Sequence, residues 1–137
     1  MNAVVASADP APRWIAHKFG GSSLADAGRI RHVADILLGN RGAPQVVVVS
    51  AMQGVTDALI HLAQATATAG PEWRAQHAAL HQRHREALRG LGLEAEATLL
   101  AWLDTQFADL AHVLHAAALI GAPAPETLAY VQGLGEV

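Results

Sequence analysis

Four consecutive valines, Val46 to Val49, form the most sharply apolar run in the chain. They follow a Gly42-Ala43-Pro44 turn, and a β-branched run of that kind belongs to a strand covered on both faces. A second short run, Trp14-Ile15-Ala16-His17-Lys18-Phe19, stops at a glycine pair and reads as another buried strand. Between the two, from Asp26 onward, Ile30, Val33, Ala34 and Leu37 recur at helical spacing, and Gly39-Asn40 closes that helix. Residues 55–69 predict a further helix, with Thr56 or Asp57 available to cap its first turn. After Gly70-Pro71 a polar helix runs from about residue 72 to 89 and ends at Gly90 or Gly92. The cleanest periodicity comes next. Leu100, Leu103, Phe107, Leu110, Leu114 and Ala117 alternate three- and four-residue steps, which lays one apolar stripe along a helix ending at Gly121-Ala122-Pro123. A last helix over roughly 125–132 leads into Gly133-Leu134-Gly135-Glu136-Val137. Residues 1–13, with Ser7, Asp9, Pro10 and Pro12, are expected to be a disordered lead-in.

The order strand, helix, strand and then several helices implies a parallel β–α–β start and an α/β layer architecture. Two strands alone cannot make a covered parallel sheet, so residues 14–137 are expected to be an incomplete domain.

Composition narrows the function classes. The chain is 52% hydrophobic but only 4% aromatic, so the core should be aliphatic and helix-rich. A net charge of -3 supplies no electrostatic footprint for nucleic acid. Arg83-His84-Arg85, the longest basic patch, is diluted by Glu86 and reads as a solvated helix face. With no cysteine, neither a disulfide framework nor a thiolate nucleophile is available. No window approaches the roughly 18–20 uncharged apolar residues that span a bilayer, and no membrane partner is expected. A cytoplasmic location is the default expectation.

Two constellations could carry chemistry. In Lys18-Phe19-Gly20-Gly21-Ser22-Ser23, the glycines let a phosphate approach backbone N–H groups directly. The following helix adds its positive N-terminus, Lys18 can set an ammonium over the same anion, and Ser22 and Ser23 offer hydroxyls or a helix cap. The lysine precedes the glycines, so this is not a Walker A loop. The plainer reading is a tight turn with an exposed lysine. In the second constellation, the valine strand ends in Ser50, turns at Gly54 and starts a helix at Thr56. Ligands of open α/β sheets sit outside the carboxyl ends of the strands, and both turns occupy such ends. His77, His81 and His84 share one helical face, but no acidic partner is placed with them, so a metal site is not expected. Trp73 and Trp102 read as packing anchors between helices.

Residues 18–26 (KFGGSSLAD) and 47–57 (VVVSAMQGVTD) closely resemble the two opening motifs of aspartokinases, in order and in separation. Residues 112–121 (HVLHAAALIG) and the terminal Gly-Leu-Gly-Glu-Val look most like the kinase half of bifunctional aspartokinase–homoserine dehydrogenases. The resemblance implies an amino-acid kinase-like fold, here an incomplete N-terminal lobe with parallel sheet strands and a helical insertion. It implies transfer of the ATP γ-phosphoryl group to the β-carboxylate of L-aspartate, with ATP and Mg2+, in an enzyme that assembles as a homo-oligomer. Lys18 would stabilise the transferring phosphate, with Gly20, Gly21 and Ser22 as its cradle. Ser50 and Thr56 would line the aspartate site, and Glu136 would bind the substrate α-amino group. The ATP-binding half, the regulatory domains and a dehydrogenase domain are expected to lie outside these residues. NADP is implied only where that dehydrogenase domain is present, and no turnover is expected from residues 14–137 alone. The rival readings are a kinase for glutamate or acetylglutamate, and a non-catalytic helical module whose Leu100-to-Ala117 stripe serves a partner.

Overall fold

The structure is a computed structural model that describes residues 13–68, 72–121 and 125–134. Strand β1 (Ile15–Phe19) is followed by a short 3-10 turn (Gly21–Leu24) and helix α1 (Ala27–Gly39), which returns the chain to strand β2 (Gln45–Val49). The strands pair in parallel, with Ile15 opposite Gln45 and Phe19 opposite Val49. Helices α2 (Val55–Ala65), α3 (Glu72–Leu91), α4 (Glu96–Ile120) and α5 (Pro125–Gly133) complete the described chain. The β–α–β start and the α/β class are as the sequence predicts.

The ends of these helices follow from local chemistry. Asp26 accepts a hydrogen bond from the Arg29 amide at 2.9 Å, capping α1, and the Asn40 N–H closes it on the Leu37 carbonyl. Between α3 and α4 the chain turns at Gly92, whose φ of 65° needs a residue without a side chain. That turn makes α3 and α4 a hairpin.

The core sits among the helices, not on the sheet. Val55, Leu59, Leu62 and Ala63 of α2 meet Trp73 and Leu80 of α3, Phe107, Leu110 and Leu114 of α4, and Val131 of α5. Buried Thr66 keeps its hydroxyl satisfied by donating to the Ala63 carbonyl at 2.7 Å. The stripe on α4 is therefore spent on this chain's own core, which removes the reading of it as a partner-binding face. Leu114 is 0% exposed. Leu114→Ala should cost about 3 kcal/mol, read as a lowered denaturation midpoint at unchanged slope. Leu119→Ala, at a site 76% exposed, should stay within about 0.5 kcal/mol.

The valine strand departs from expectation. Val46, Val47, Val48 and Val49 are 41–53% exposed. Among the described residues the sheet has only β1 and β2, so β2 has one free edge and no layer laid across its faces. Trp102 is likewise 48% exposed, whereas Trp73 is buried as an anchor should be.

Candidate functional site

Both candidate loops leave the carboxyl edge of the same strand pair. The Ser50 N–H donates to the Phe19 carbonyl at 3.1 Å, which carries the pairing one step beyond β2 and sets Ser50 beside Gly20. Side chains alternate along a strand, so Lys18, its partner Val48, and Ser50 two positions on share one face. The Lys18 ammonium folds back over the glycine turn: a Cβ placed on Gly20 would lie 3.7 Å from Nζ.

The two loops meet tightly at Gly21. A Cβ there would sit 3.0 Å from the Ala51 carbonyl oxygen and 3.3 Å from the Gln53 nitrogen, both backbone atoms that cannot swing aside. Glycine is required because the second loop occupies the space where a side chain would be. Beyond it, Val55 N–H bonds the Met52 carbonyl at 3.0 Å, closing a turn at Gly54, which has φ 75°.

Two details of the helix starts differ from the sequence reading. Neither Thr56 nor Asp57 caps α2; Gly54 occupies that position without a side-chain bond. The left-handed glycine turns the chain straight into the helix and puts Thr56 inside the first turn. The first amides of α2 are thus free of a side-chain cap, while the Ser50 and Thr56 hydroxyls have no hydrogen-bond partner among the described residues. On the first loop, Asp26 and not Ser22 or Ser23 caps α1, and the 3-10 turn intervenes. A carboxylate already neutralises the start of α1, so the amides near Lys18 are those of the glycine turn itself. Ser22 is exposed and Ser23 half-buried on that turn. Glu136 lies outside the described residues.

The histidine face serves packing. His81 stacks on Phe107 at 4.6 Å, with His77 and His84 around the same ring. His77 Nε2 meets the Phe107 carbonyl at 2.7 Å and His84 Nδ1 the Leu80 carbonyl at 2.8 Å. An acidic partner is present after all: Asp104 accepts from His81 at 2.8 Å and pairs with Arg85. Arg85, then His81, holds the Asp104 carboxyl below the usual carboxylate range. Burial pushes His84 below the ordinary histidine value, against the pull of its Leu80 bond. The folded state thus prefers neutral His84, and the unfolded chain takes up that proton first. Its stabilising contribution is whole above about pH 6.5 and falls as pH drops toward the lowered folded value. Melting midpoints should be lower at pH 5.5 than at 7.5, and His84→Gln should narrow that gap. An equal gap in the variant would place the effect elsewhere.

Sequence reasoning missed Arg83. Its Nη2 donates to the Gln53 carbonyl at 2.8 Å and, more weakly, to the Ala25 carbonyl at 3.4 Å. Periodicity placed it on a polar face, and nothing in the pattern signals that backbone carbonyls from two loops meet it there.

A parallel strand pair with glycine-tight loops at its carboxyl edge, under a lysine, defines the class. The chain belongs to the amino acid kinase family, whose profile matches residues 13–129. Within that family it is 30% identical to a chloroplastic bifunctional aspartokinase/homoserine dehydrogenase 2 of Arabidopsis thaliana, over 90% of this chain and 14% of that protein. It is 49% identical to an aspartokinase of Mycobacterium bovis over 59 residues, which are 42% of this chain and 14% of that protein. The structure of E. coli aspartokinase III with aspartate and ADP superposes with a TM-score of 0.76 at 27% identity, covering 90% of this chain and 26% of that one. The matched segments thus span 14% of the length of each of these curated relatives. Among the described residues, no helix is long and apolar enough to cross a membrane.

Proposed function

We propose that this chain supplies the phosphoryl-transfer corner of an aspartate kinase, which moves the γ-phosphoryl group of ATP onto the β-carboxylate of L-aspartate. The observation that carries the reading is the contact of Gly21 with Ala51 and Gln53, which locks both loops to one edge beside Lys18. The substrate carboxylate is already ionised at neutral pH and needs no general base. Its oxygen forms the new bond to the γ-phosphorus as the bond to the β-phosphate oxygen breaks, and ADP leaves. Negative charge spreads over the equatorial oxygens during transfer. Lys18, the Gly20 and Gly21 amides and the Ser22 hydroxyl would stabilise that charge. Ser50 and Thr56 would orient aspartate, and Glu136 would pair with its ammonium.

The glycine turn suits a phosphate because Gly20 and Gly21 carry no side chain and the Lys18 ammonium lies 3.7 Å from where a Gly20 Cβ would stand. Magnesium would arrive on the nucleotide, because that ion is held mainly through substrate phosphates. Among the described residues no group of three acidic or histidine side chains converges to cage it. A cytoplasmic, homo-oligomeric enzyme completes the reading.

The test is a chimera in which residues 13–129 replace the matching segment of an aspartokinase of known activity. It should form aspartyl phosphate from ATP, trapped as the hydroxamate. A folded chimera that binds ATP yet phosphorylates glutamate and not aspartate would overturn the proposal.

A further inference from the structure

Arg83 reaches the two loops from α3, far along the chain from either. One guanidinium nitrogen has two N–H groups, and here they are divided between Ala25 at the end of the first loop and Gln53 in the middle of the second. Neither carbonyl belongs to the strand ladder. Next to Arg83 lies an open cavity of about 370 Å³, lined by Ala25, Asp26, Met52, Glu86 and their neighbours, so side-chain packing does not join the loops there. The Gly21 contact is tight on one side, and this polar bridge closes the other.

We propose that Arg83 is a positioning residue which fixes the spacing of the Lys18 loop and the Ser50 loop, making helix α3 a brace for the site. Its consequence for catalysis rests on the kinase reading; the bridge itself does not. Arg31 offers a matched control. It donates to the Gly90 carbonyl and so ties α1 to α3, but touches neither loop.

The test is made on this chain, with no ligand. A Cβ on Gly21 would lie 3.3 Å from the Gln53 nitrogen, so a nuclear Overhauser effect should join a Gly21 Hα to the Gln53 amide. Arg83→Met keeps the apolar stem and removes the donors. It should reduce that signal by about half or more, while Arg31→Met leaves it intact and Arg83→Lys restores part of it. Should Arg83→Met fail to fold, Arg83→Gln carries the same expectation. In a complete kinase containing this chain, Arg83→Met should lower kcat by about 10- to 100-fold with little change in KM for aspartate. An undiminished signal in folded Arg83→Met or Arg83→Gln overturns the proposal, as does an equal loss in Arg31→Met. Loss of the signal as expected, together with a complete kinase containing this chain that binds ATP and aspartate yet phosphorylates nothing, would instead sink the kinase reading alone.

Discussion

Lys18→Ala, made in a complete kinase that contains this chain, is expected to lower kcat on the order of 10²–10³-fold while KM for aspartate stays within about threefold. The asymmetry follows from position. Lys18 lies over the glycine turn, where phosphate charge would develop in the proposed reaction, and the strand edge lies between it and the hydroxyls proposed to hold aspartate. An interaction that strengthens during transfer appears in kcat, whereas one made equally with bound substrate appears in KM. Lys18→Arg should recover only part of the loss, because a planar fork does not occupy the place of a compact ammonium. Steady-state kinetics with aspartate and ATP varied separately would decide. An unchanged turnover number in Lys18→Ala removes this residue from the chemistry.

Gly21→Ala should be nearly as damaging, for a steric reason. The added methyl would stand 3.0 Å from the Ala51 oxygen, and that oxygen belongs to backbone. Either the two loops separate or the 3-10 turn rotates, and both shift the amides next to Lys18. Misplacements of about 1 Å can cost 10²-fold in rate, so a loss of about that size is expected. The melting point should fall only modestly, since Ala51 is the one member of the buried cluster on this loop and the rest lie on α2, α3, α4 and α5. Gly20→Ala provides the contrast. Its backbone is ordinary extended chain, with φ -81°, and its methyl would meet only the end of the Lys18 side chain at 3.7 Å. It should be milder in both assays. Equal activity in Gly21→Ala and the parent would show that the two loops are not in register as described.

What the sequence revealed was governed by local rules. The α4 stripe was legible because a buried helix face must repeat every three or four residues, and Phe107, Leu110, Leu114 and Ala117 are buried on it. The Asp26-to-Asn40 helix was legible from its terminal residues. The two loops were legible as turns at strand ends, because glycines follow the apolar runs, whereas a plain turn with an exposed lysine would have the same local pattern. The misreadings have a common origin in tertiary context. The valines indicated a strand correctly, but cover is a property of neighbouring layers, and β2 has only β1 beside it among the described residues. Thr56 has cap chemistry, yet the turn at Gly54 moved the helix start ahead of it. Asp104 lies 23 residues from His81, too far for helical spacing to pair them. Arg83 was read as solvated for the same reason: its partners are carbonyls, which carry no sequence signature.

The proposed anion site at this strand edge is tested most directly by a crystal structure of a complete kinase containing this chain, bound to aspartate and a non-hydrolysable ATP analogue with magnesium. The terminal phosphate should lie within hydrogen-bond reach of Lys18 Nζ and the Gly20 and Gly21 amides, with the aspartate carboxylate between it and Ser50. A phosphate bound on another surface, with both loops empty, would contradict the account.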